Sequence, residues 1–312
     1  MRLITRSDFD GLVCTMLIKK IMPIEEIKFV HPKDLQDGKL EVTENDILTN
    51  VPYVPGCGLW FDHHATEIKR VVATTDFQGV CRLAPSAARV VYDYYGGDER
   101  FGDVDEIMAA VDKADSAQFT MEEILRPDGW PLLSFLMDAR TGLGRWRDYR
   151  ISNYQWMMDL IAICDTLPIH EILQLPDAAE RVARYFEQDA LFREMLTQYS
   201  YTAGNVVVTD ARQAAPIYTG NRFLIYALFP EQNTSLWAVN GFQNQNCVFA
   251  CGHSIVNQTS RTDIGTLMRH YGGGGHHAAG TCQVAHEAAE DTLRDLIASM
   301  NRDERARFAK AA

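Results

Sequence analysis

Leu59-Trp60-Phe61-Asp62-His63-His64 is an apolar and aromatic run that stops at one carboxylate and two imidazoles. The pattern predicts a buried strand that presents polar side chains from its carboxyl end. Open α/β sheets keep their binding sites at that end of their strands. Side chains alternate along an extended chain, so Asp62 and His64 should point one way and His63 the other. We therefore expect the triplet to serve two purposes.

The same triplet carries the ligand types of a transition-metal site. One Asp and two neutral His side chains offer oxygen and nitrogen donors, which suit Mn²⁺, Zn²⁺ or Fe²⁺ better than Ca²⁺. An ordinary polar strand end is the alternative interpretation, and the triplet alone does not separate the two.

An acidic pair follows the first strand of the chain. Arg2-Leu3-Ile4-Thr5 predicts a short strand, and residues 6–11 break it before an amphipathic helix over residues 12–21. Asp8 and Asp10 should lie on one side at the carboxyl end of that strand. Two carboxylates so close repel each other unless a cation lies between them. Capping of the helix by either Asp is the alternative.

Strands and helices alternate through the first part of the chain. Further strands are predicted over residues 26–31 and 46–50, and helices over residues 86–95 and 104–114. Such alternation indicates an α/β domain with a doubly wound, mostly parallel sheet, which we assign to residues 1–120.

The pattern of apolar residues changes twice in the rest of the chain. Apolar residues at helical spacing predict a helical connector over residues 121–203. A smaller, mixed α/β domain is predicted over residues 204–312. Its β-rich runs and helices are expected at residues 205–208, 223–228, 235–239, 247–251, 263–270, around 281–284, and 286–300.

A glycine run lies in the second predicted domain, Gly272-Gly273-Gly274-Gly275-His276-His277. Consecutive glycines expose backbone N–H groups without Cβ obstruction, which is how phosphate oxygens are often bound, and adjacent imidazoles can donate to the same anion. A flexible turn is the alternative interpretation.

Composition limits the class of protein. The chain has 312 residues, enough for two cores, and a formal charge of −12, which argues against a broad surface for long double-stranded nucleic acid. It contains no run near the roughly 18 apolar residues of a membrane span and no signal-peptide core. Seven scattered cysteines predict reduced thiols, so we expect a cytoplasmic protein.

Taken together, the motifs resemble the DHH–DHHA1 phosphoesterases. The resemblance rests on Asp-x-Asp-Gly at residues 8–11, Asp-His-His at 62–64, a later Asp, and Gly-Gly-Gly-His-x-Ala-Ala-Gly at 273–280. It implies a DHH domain and a DHHA1 domain with a cleft between them. It also implies a metal centre, usually of Mn²⁺, that activates water for attack on phosphorus.

Residues carried over from the family's metal motifs are Asp8, Asp10 and His63, with Asp115 favoured over Asp112 as a further ligand. In the family, the strand that carries the second conserved motif normally ends in an Asp that bridges two metals. In this chain Asn50 stands at that position. One or two Mn²⁺ per chain are therefore expected, with Mg²⁺ or another divalent ion as alternatives.

The resemblance also implies residues that touch the substrate. His64 would contact the phosphate, and Asp62 would bridge or orient. Members carry a further His or Asp ahead of the acidic pair, where this chain has Ile4 and Arg6. The implied substrate-binding residues of the second domain are Gly273, Gly274, Gly275, His276, His253 and Arg261.

The function these residues favour is a metal-dependent phosphoesterase for a short phosphorylated substrate: a nanoRNA, a dinucleotide, phosphoadenosine phosphate or polyphosphate. One alternative is a weakened relative that binds a nucleotide or a single metal as a sensor. Another is a structural protein, against which the retained glycine run argues. No membrane partner is expected, and the oligomeric state, including a homodimer, is open.

Overall fold

The structure, a computed structural model, describes residues 1–72 and 75–310, without the side chains of residues 72 and 303–310. The chain forms two compact units. One comprises residues 1–119 and 127–184, and the other residues 120–126 and 185–312. The stretch predicted as a helical connector is thus divided between them.

The first unit contains a parallel sheet of five short strands. They are β1 (Arg2–Thr5), β2 (Glu26–Phe29), β3 (Asp46–Thr49), β4 (Leu59–Asp62) and β5 (Gly79–Cys81). Their order is β2-β1-β3-β4-β5, and every pair is parallel. The chain passes from β1 to β2 on one side and returns to β3 on the other, which creates a switch point between β1 and β3.

Helices of the first unit connect and flank these strands. They are α1 (Phe9–Ile21), α2 (Pro32–Gln36), α3 (Ala65–Glu67), α4 (Ala87–Tyr94), α5 (Asp98–Phe101) and α6 (Asp105–Asp115). A π-helical turn spans Ile68–Val72. Four more helices follow, α7 (Met121–Leu125), α8 (Gly129–Met137), α9 (Asn153–Ile163) and α10 (Ile169–Gln174), of which α7 belongs to the second unit. The boundary near residue 184 falls within α11 (Pro176–Tyr199).

Both faces of the parallel sheet are buried. Ile4 and Trp60 pack on one face against Leu35 of α2. Phe61 faces the other way, with its ring centroid 5.0 Å from that of Tyr94 in α4. Burial on both faces explains why the inner strands β3 and β4 are mostly apolar, whereas Glu26 and Lys28 of the edge strand β2 are exposed.

The second unit contains a mixed sheet of six strands. They are β6 (Ser200–Ala203), β7 (Val206–Asp210), β8 (Thr234–Asn240), β9 (Cys247–His253), β10 (Gly274–His276) and β11 (Ala279–Val284). Their order is β10-β11-β9-β8-β7-β6, and only β7 and β8 are parallel among the described pairs. The helices are α12 (Leu224–Leu228), α13 (Ile264–Arg269) and α14 (Ala289–Lys310).

The predicted fold class is confirmed, with differences in the short elements. Within residues 223–228, expected as a strand, Leu224–Leu228 form α12 instead. Four consecutive residues there are buried, and such a short apolar run does not distinguish a strand from a buried helix. The three- and four-residue strands β5, β6 and β10 were not predicted.

None of the described helices is both long and apolar enough to cross a membrane. All seven cysteines lie in the described part of the chain, and none of them forms a disulfide.

Candidate active site

Polar side chains gather at the carboxyl edge of the parallel sheet. Asp8 and Asp10 follow β1, Asn50 follows β3, and His63 follows β4. These three strands are neighbours. Their ends flank the switch point between β1 and β3, which is where open α/β sheets bind ligands.

Asp10 lies in the first turn of α1 and is only 2% exposed. Its carboxylate accepts the backbone N–H of Ala87 at 2.9 Å and that of Ala88 at 2.7 Å, both at the start of α4. Burial, followed by the charge of Asp115, raises the pKa of Asp10 to about 7 despite these donors. A cation beside Asp10 would therefore relieve an unfavourable buried charge.

His63 is held through one ring nitrogen. Nδ1 lies 3.0 Å from the backbone oxygen of Ala84. A carbonyl only accepts, so Nδ1 carries the proton and donates it. Nε2 then presents its lone pair, 3.0 Å from Asp115 Oδ2 and 4.0 Å from Asp10 Oδ2. Metal-binding histidines are commonly oriented by the same kind of contact.

The free side of the His63 ring favours a positive charge. Its Nε2 is buried and lies 3.0 Å from Asp115 Oδ2, close enough for an ion pair when the ring is protonated. Burial lowers the pKa of His63, but the carboxylates of Asp115 and Asp10 raise it by more, to about 9. A proton and a divalent ion would compete for this nitrogen.

Asp115 ends α6 and completes a group of three ligands. One ligand atom each from Asp10, His63 and Asp115 lie within 4.8 Å of one another. Asp112, the other acidic candidate in α6, instead accepts hydrogen bonds from Ser86 and Arg89. Two carboxylate oxygens and one imidazole nitrogen suit a divalent ion such as Mn²⁺, Mg²⁺, Zn²⁺ or Fe²⁺, so these residues fit a metal.

Asp62 and His64 form a second pair beside this group. His64 Nδ1 lies 2.8 Å from Asp62 Oδ1, and one ligand atom each from Asp62, His63 and His64 also lie within 4.8 Å of one another. The expected alternation of the triplet stays a prediction. Burial lowers the pKa of His64, and the Asp62 carboxylate more than offsets this, so that it is raised. Asp62 is fully buried, and its Oδ2 has no hydrogen-bond partner within the described ranges.

Asp8 is engaged by protein donors on both oxygens. Oδ1 accepts the backbone N–H of Gly11 at 2.9 Å, so Asp8 caps α1, and also Nδ2 of Asn50 at 3.1 Å. Oδ2 lies 3.0 Å from Nε of Arg6. The alternative reading of Asp8 as a helix cap is thus confirmed, whereas its role as a metal ligand stays a prediction.

The glycine run forms part of a β-hairpin rather than an open loop. β10 pairs with β11, with Gly274 opposite Thr281 and Gly275 opposite Gly280. A Cβ on Gly273 would lie 2.0 Å from the Thr281 carbonyl oxygen, and one on Gly275 would lie 2.2 Å from that of Ala279. Gly274 differs, because no described atom lies within 4 Å of its Cβ position. Among the described residues of the run, Gly272 and Gly274 therefore leave open space, and of these two only Gly274 belongs to β10.

His253 and Arg261 are the other predicted residues of the second unit. His253 ends β9, and its Nε2 lies 2.8 Å from the carbonyl oxygen of Thr262. Its ring centroid is 5.4 Å from that of His277. Arg261 and His276 are exposed. The substrate-binding roles of these residues stay predictions.

Sequence reasoning missed three contacts of the site. The ion pair of Arg6 with Asp8, the amides of α4 at Asp10, and the carbonyl of Ala84 at His63 all depend on tertiary packing. Pro85-Ser86 did signal the start of α4, since Ser86 caps it, but not that this end faces Asp10.

Comparison with known proteins identifies the family. No protein-family model and no curated protein matches the chain. Among solved structures, it is similar to PggH, a pGpG-specific phosphodiesterase from Vibrio cholerae. The two are 52% identical over 97% of this chain and 99% of that one, with a TM-score of 0.86. The chain belongs to the DHH phosphoesterase superfamily.

Two further structures share the DHH fold at low identity. An exopolyphosphatase-related protein from Bacteroides fragilis is 12% identical over 95% of this chain and 91% of that one, with a TM-score of 0.53. RecJ from Thermus thermophilus in complex with Mn²⁺ is 13% identical over 96% of this chain and 52% of that one, with a TM-score of 0.53. These likenesses concern the fold alone.

This DHH protein is a metal-dependent phosphoesterase that acts on a short phosphorylated substrate. The prediction from the motifs is confirmed at that level, and an enzyme is favoured over a sensor. The identity of the metal and the roles of individual residues stay predictions.

Proposed function

We propose that this chain hydrolyses the dinucleotide pGpG with a divalent ion, Mn²⁺ in the first instance, held by Asp10, His63 and Asp115. The observation that carries the proposal is the similarity to the Vibrio cholerae pGpG phosphodiesterase over nearly the whole chain. The three clustered ligand atoms support it independently.

Hydrolysis would add one water across the internal phosphodiester of pGpG. The oxygen of the water bonds to phosphorus, the bond from phosphorus to the ribose 3′-oxygen breaks, and that oxygen takes up a proton. Two molecules of pG result. When bound, the metal polarises the phosphoryl oxygens and lowers the pKa of water.

Residues of the first unit orient and neutralise the reacting phosphate. The α4 amides fix both oxygens of Asp10, and Ala84 fixes the ring of His63. Both contacts exist before substrate binds, so little reorganisation is needed. His64, which Asp62 favours in its charged form, donates from Nε2 to a phosphate oxygen or to the leaving oxygen.

In the second unit we assign the terminal phosphate of the dinucleotide to the segment around Gly274. Its backbone is open to an approaching oxygen, and His276 beside it is exposed. β10 is an edge strand, so part of its N–H groups point away from β11. His253 and Arg261 are assigned to the same anion as further hydrogen-bond donors.

Replacing Asp62 by asparagine should lower kcat about 10–100-fold, the usual cost of losing an outer partner of a catalytic group. An amide still accepts from His64 Nδ1 but no longer stabilises the imidazolium charge. Bound Mn²⁺ should stay the same if the ion is held by Asp10, His63 and Asp115, because Asp62 belongs to the other group, with His63 and His64. Steady-state kinetics on pGpG with elemental analysis of the same samples test this. An unchanged kcat would remove Asp62 and His64 from the mechanism.

Removing the metal should lower thermal stability. An ion that binds only the folded chain adds about 2.7 kcal/mol at a free concentration 100 times its Kd. It would also offset the burial of Asp10 and the charge of Asp115, which raise the pKa of Asp10 to about 7. Calorimetry should show a higher Tm in Mn²⁺ than in EDTA. Equal Tm values in the two buffers would contradict a metal at this site.

A substrate panel tests the proposed function. Metal-loaded protein should release pG from pGpG with a higher kcat/KM than from longer RNAs, cyclic dinucleotides, phosphoadenosine phosphate or polyphosphate. A higher kcat/KM for any other member of the panel would replace pGpG as the substrate. If no member of the panel is hydrolysed, the alternative function as a sensor becomes the favoured one.

A further inference from the structure

Asp8 and Asn50 are arranged around a cation that the chain itself supplies. The guanidinium of Arg6 lies 3.0 Å from Asp8 Oδ2, while Gly11 and Asn50 donate to Oδ1. The Asp8 carboxylate therefore has three donors. Its side chain is 22% exposed, and that of Arg6 is 33% exposed, so the pair borders solvent.

Asn50 turns its donor, not its acceptor, toward Asp8. A carboxylate only accepts, so the amide nitrogen must face it, and an amide nitrogen does not bind metals. Asn50 is 1% exposed and has a φ of 55°, in the left-handed region that asparagine tolerates better than most residues. Its backbone N–H donates to Phe61 at 3.1 Å, which ties the residue to β4. The backbone of Asn50 is thus held in place, and its side-chain Oδ1 is buried without a hydrogen-bond partner among the described residues.

A second metal ion at Asp8 would meet the fixed charge of Arg6. Guanidinium does not lose its proton in proteins, so its positive charge is permanent. A divalent ion sharing the same carboxylate would be repelled at close range, where like charges interact most strongly. The group formed by Asp10, His63 and Asp115 does not include Asp8.

We propose that Arg6, held with Asp8 and Asn50, takes the place of a second metal ion, so that the centre binds one divalent ion at Asp10, His63 and Asp115. The inference deepens the proposed function and rests on it for the role of the site. Arg6 is a positioning residue that fixes Asp8 and supplies the positive charge on that side of the anionic phosphate.

Counting bound metal tests the inference without substrate. Equilibrium dialysis of the full chain against excess Mn²⁺ should give one ion per chain. Asp8→Asn should also bind one, whereas Asp10→Asn should bind none. Two ions in the wild type, with one lost in Asp8→Asn, would overturn the proposal. A chain that counted one ion but left pGpG intact would instead contradict the proposed function, so the two failures are distinguishable.

A double variant probes what keeps the second ion out. Arg6→His with Asn50→Asp replaces the permanent cation by a neutral ligand and the amide by a carboxylate. The count should rise from one to two in a protein whose circular dichroism matches the wild type. A count that stayed at one would overturn the roles of Arg6 and Asn50.

The charge of Arg6 can be tested by rescue. Arg6→Met should lower kcat on pGpG by about 100-fold, the scale seen when one electrostatic donor is removed, while one Mn²⁺ stays bound. Added guanidinium ion should restore part of the rate, and Arg6→Lys should retain more than Arg6→Met. Full activity in Arg6→Met would contradict the proposal.

Discussion

Replacing His63 by alanine is expected to abolish metal-dependent turnover, with kcat/KM reduced more than about 1,000-fold. Losing only the hydrogen-bond partner of a metal ligand typically lowers metal affinity or activity about 10–100-fold. Removing His63 should cost more, because His63 would be the ligand itself. It supplies the nitrogen of the three-ligand group, and its side chain is 11% exposed, so water does not easily substitute for it.

A matched control for this variant lies elsewhere in the same unit. His170 is exposed in α10 and outside the ligand group, so His170→Ala should retain both Mn²⁺ and activity. The two variants are compared by dialysis against Mn²⁺ and by the rate of pG release. If His63→Ala bound metal as the wild type does, the assigned centre would be wrong.

Replacing Gly273 by alanine should destabilise the fold by about 1–3 kcal/mol, the usual range for overpacking. The added Cβ would lie 2.0 Å from the Thr281 carbonyl oxygen and 2.7 Å from Cys282 Cα, so the backbone of β10 or β11 must shift. Urea unfolding of the full chain measures the loss as a lower midpoint at constant slope.

Gly274→Ala separates packing from binding at the same hairpin. No described atom lies within 4 Å of its Cβ position, so the midpoint should stay within experimental error of the wild type. If the backbone there receives a phosphate, the methyl group should raise KM for pGpG. Equal destabilisation by both substitutions would contradict the hairpin geometry, and unchanged KM would remove Gly274 from the binding site.

Local patterns were sufficient to predict the framework of the site. Apolar runs that end at Thr5, Thr49 and Phe61, just before polar residues, located the carboxyl ends of β1, β3 and β4, since buried parallel strands have a distinctive composition. This inference needs only a few consecutive residues.

Contacts between distant segments were not predictable in the same way. The partner of Asp8 is Arg6, but nothing in the spacing shows that the side chain turns back toward the acid. The glycines of the run look alike in sequence, yet Gly273 and Gly275 are constrained by β11 and Gly274 is not. Leu224–Leu228 became a helix because tertiary burial, not periodicity, decides such a short segment.

Anomalous diffraction at the manganese edge, from crystals of the full chain grown with Mn²⁺, tests the central claim most directly. We predict one peak in contact with Asp10, His63 and Asp115, and none between Asp8 and Asn50. A peak bonded to Asp8 and Asn50, or no peak at the three-ligand group, would contradict the account.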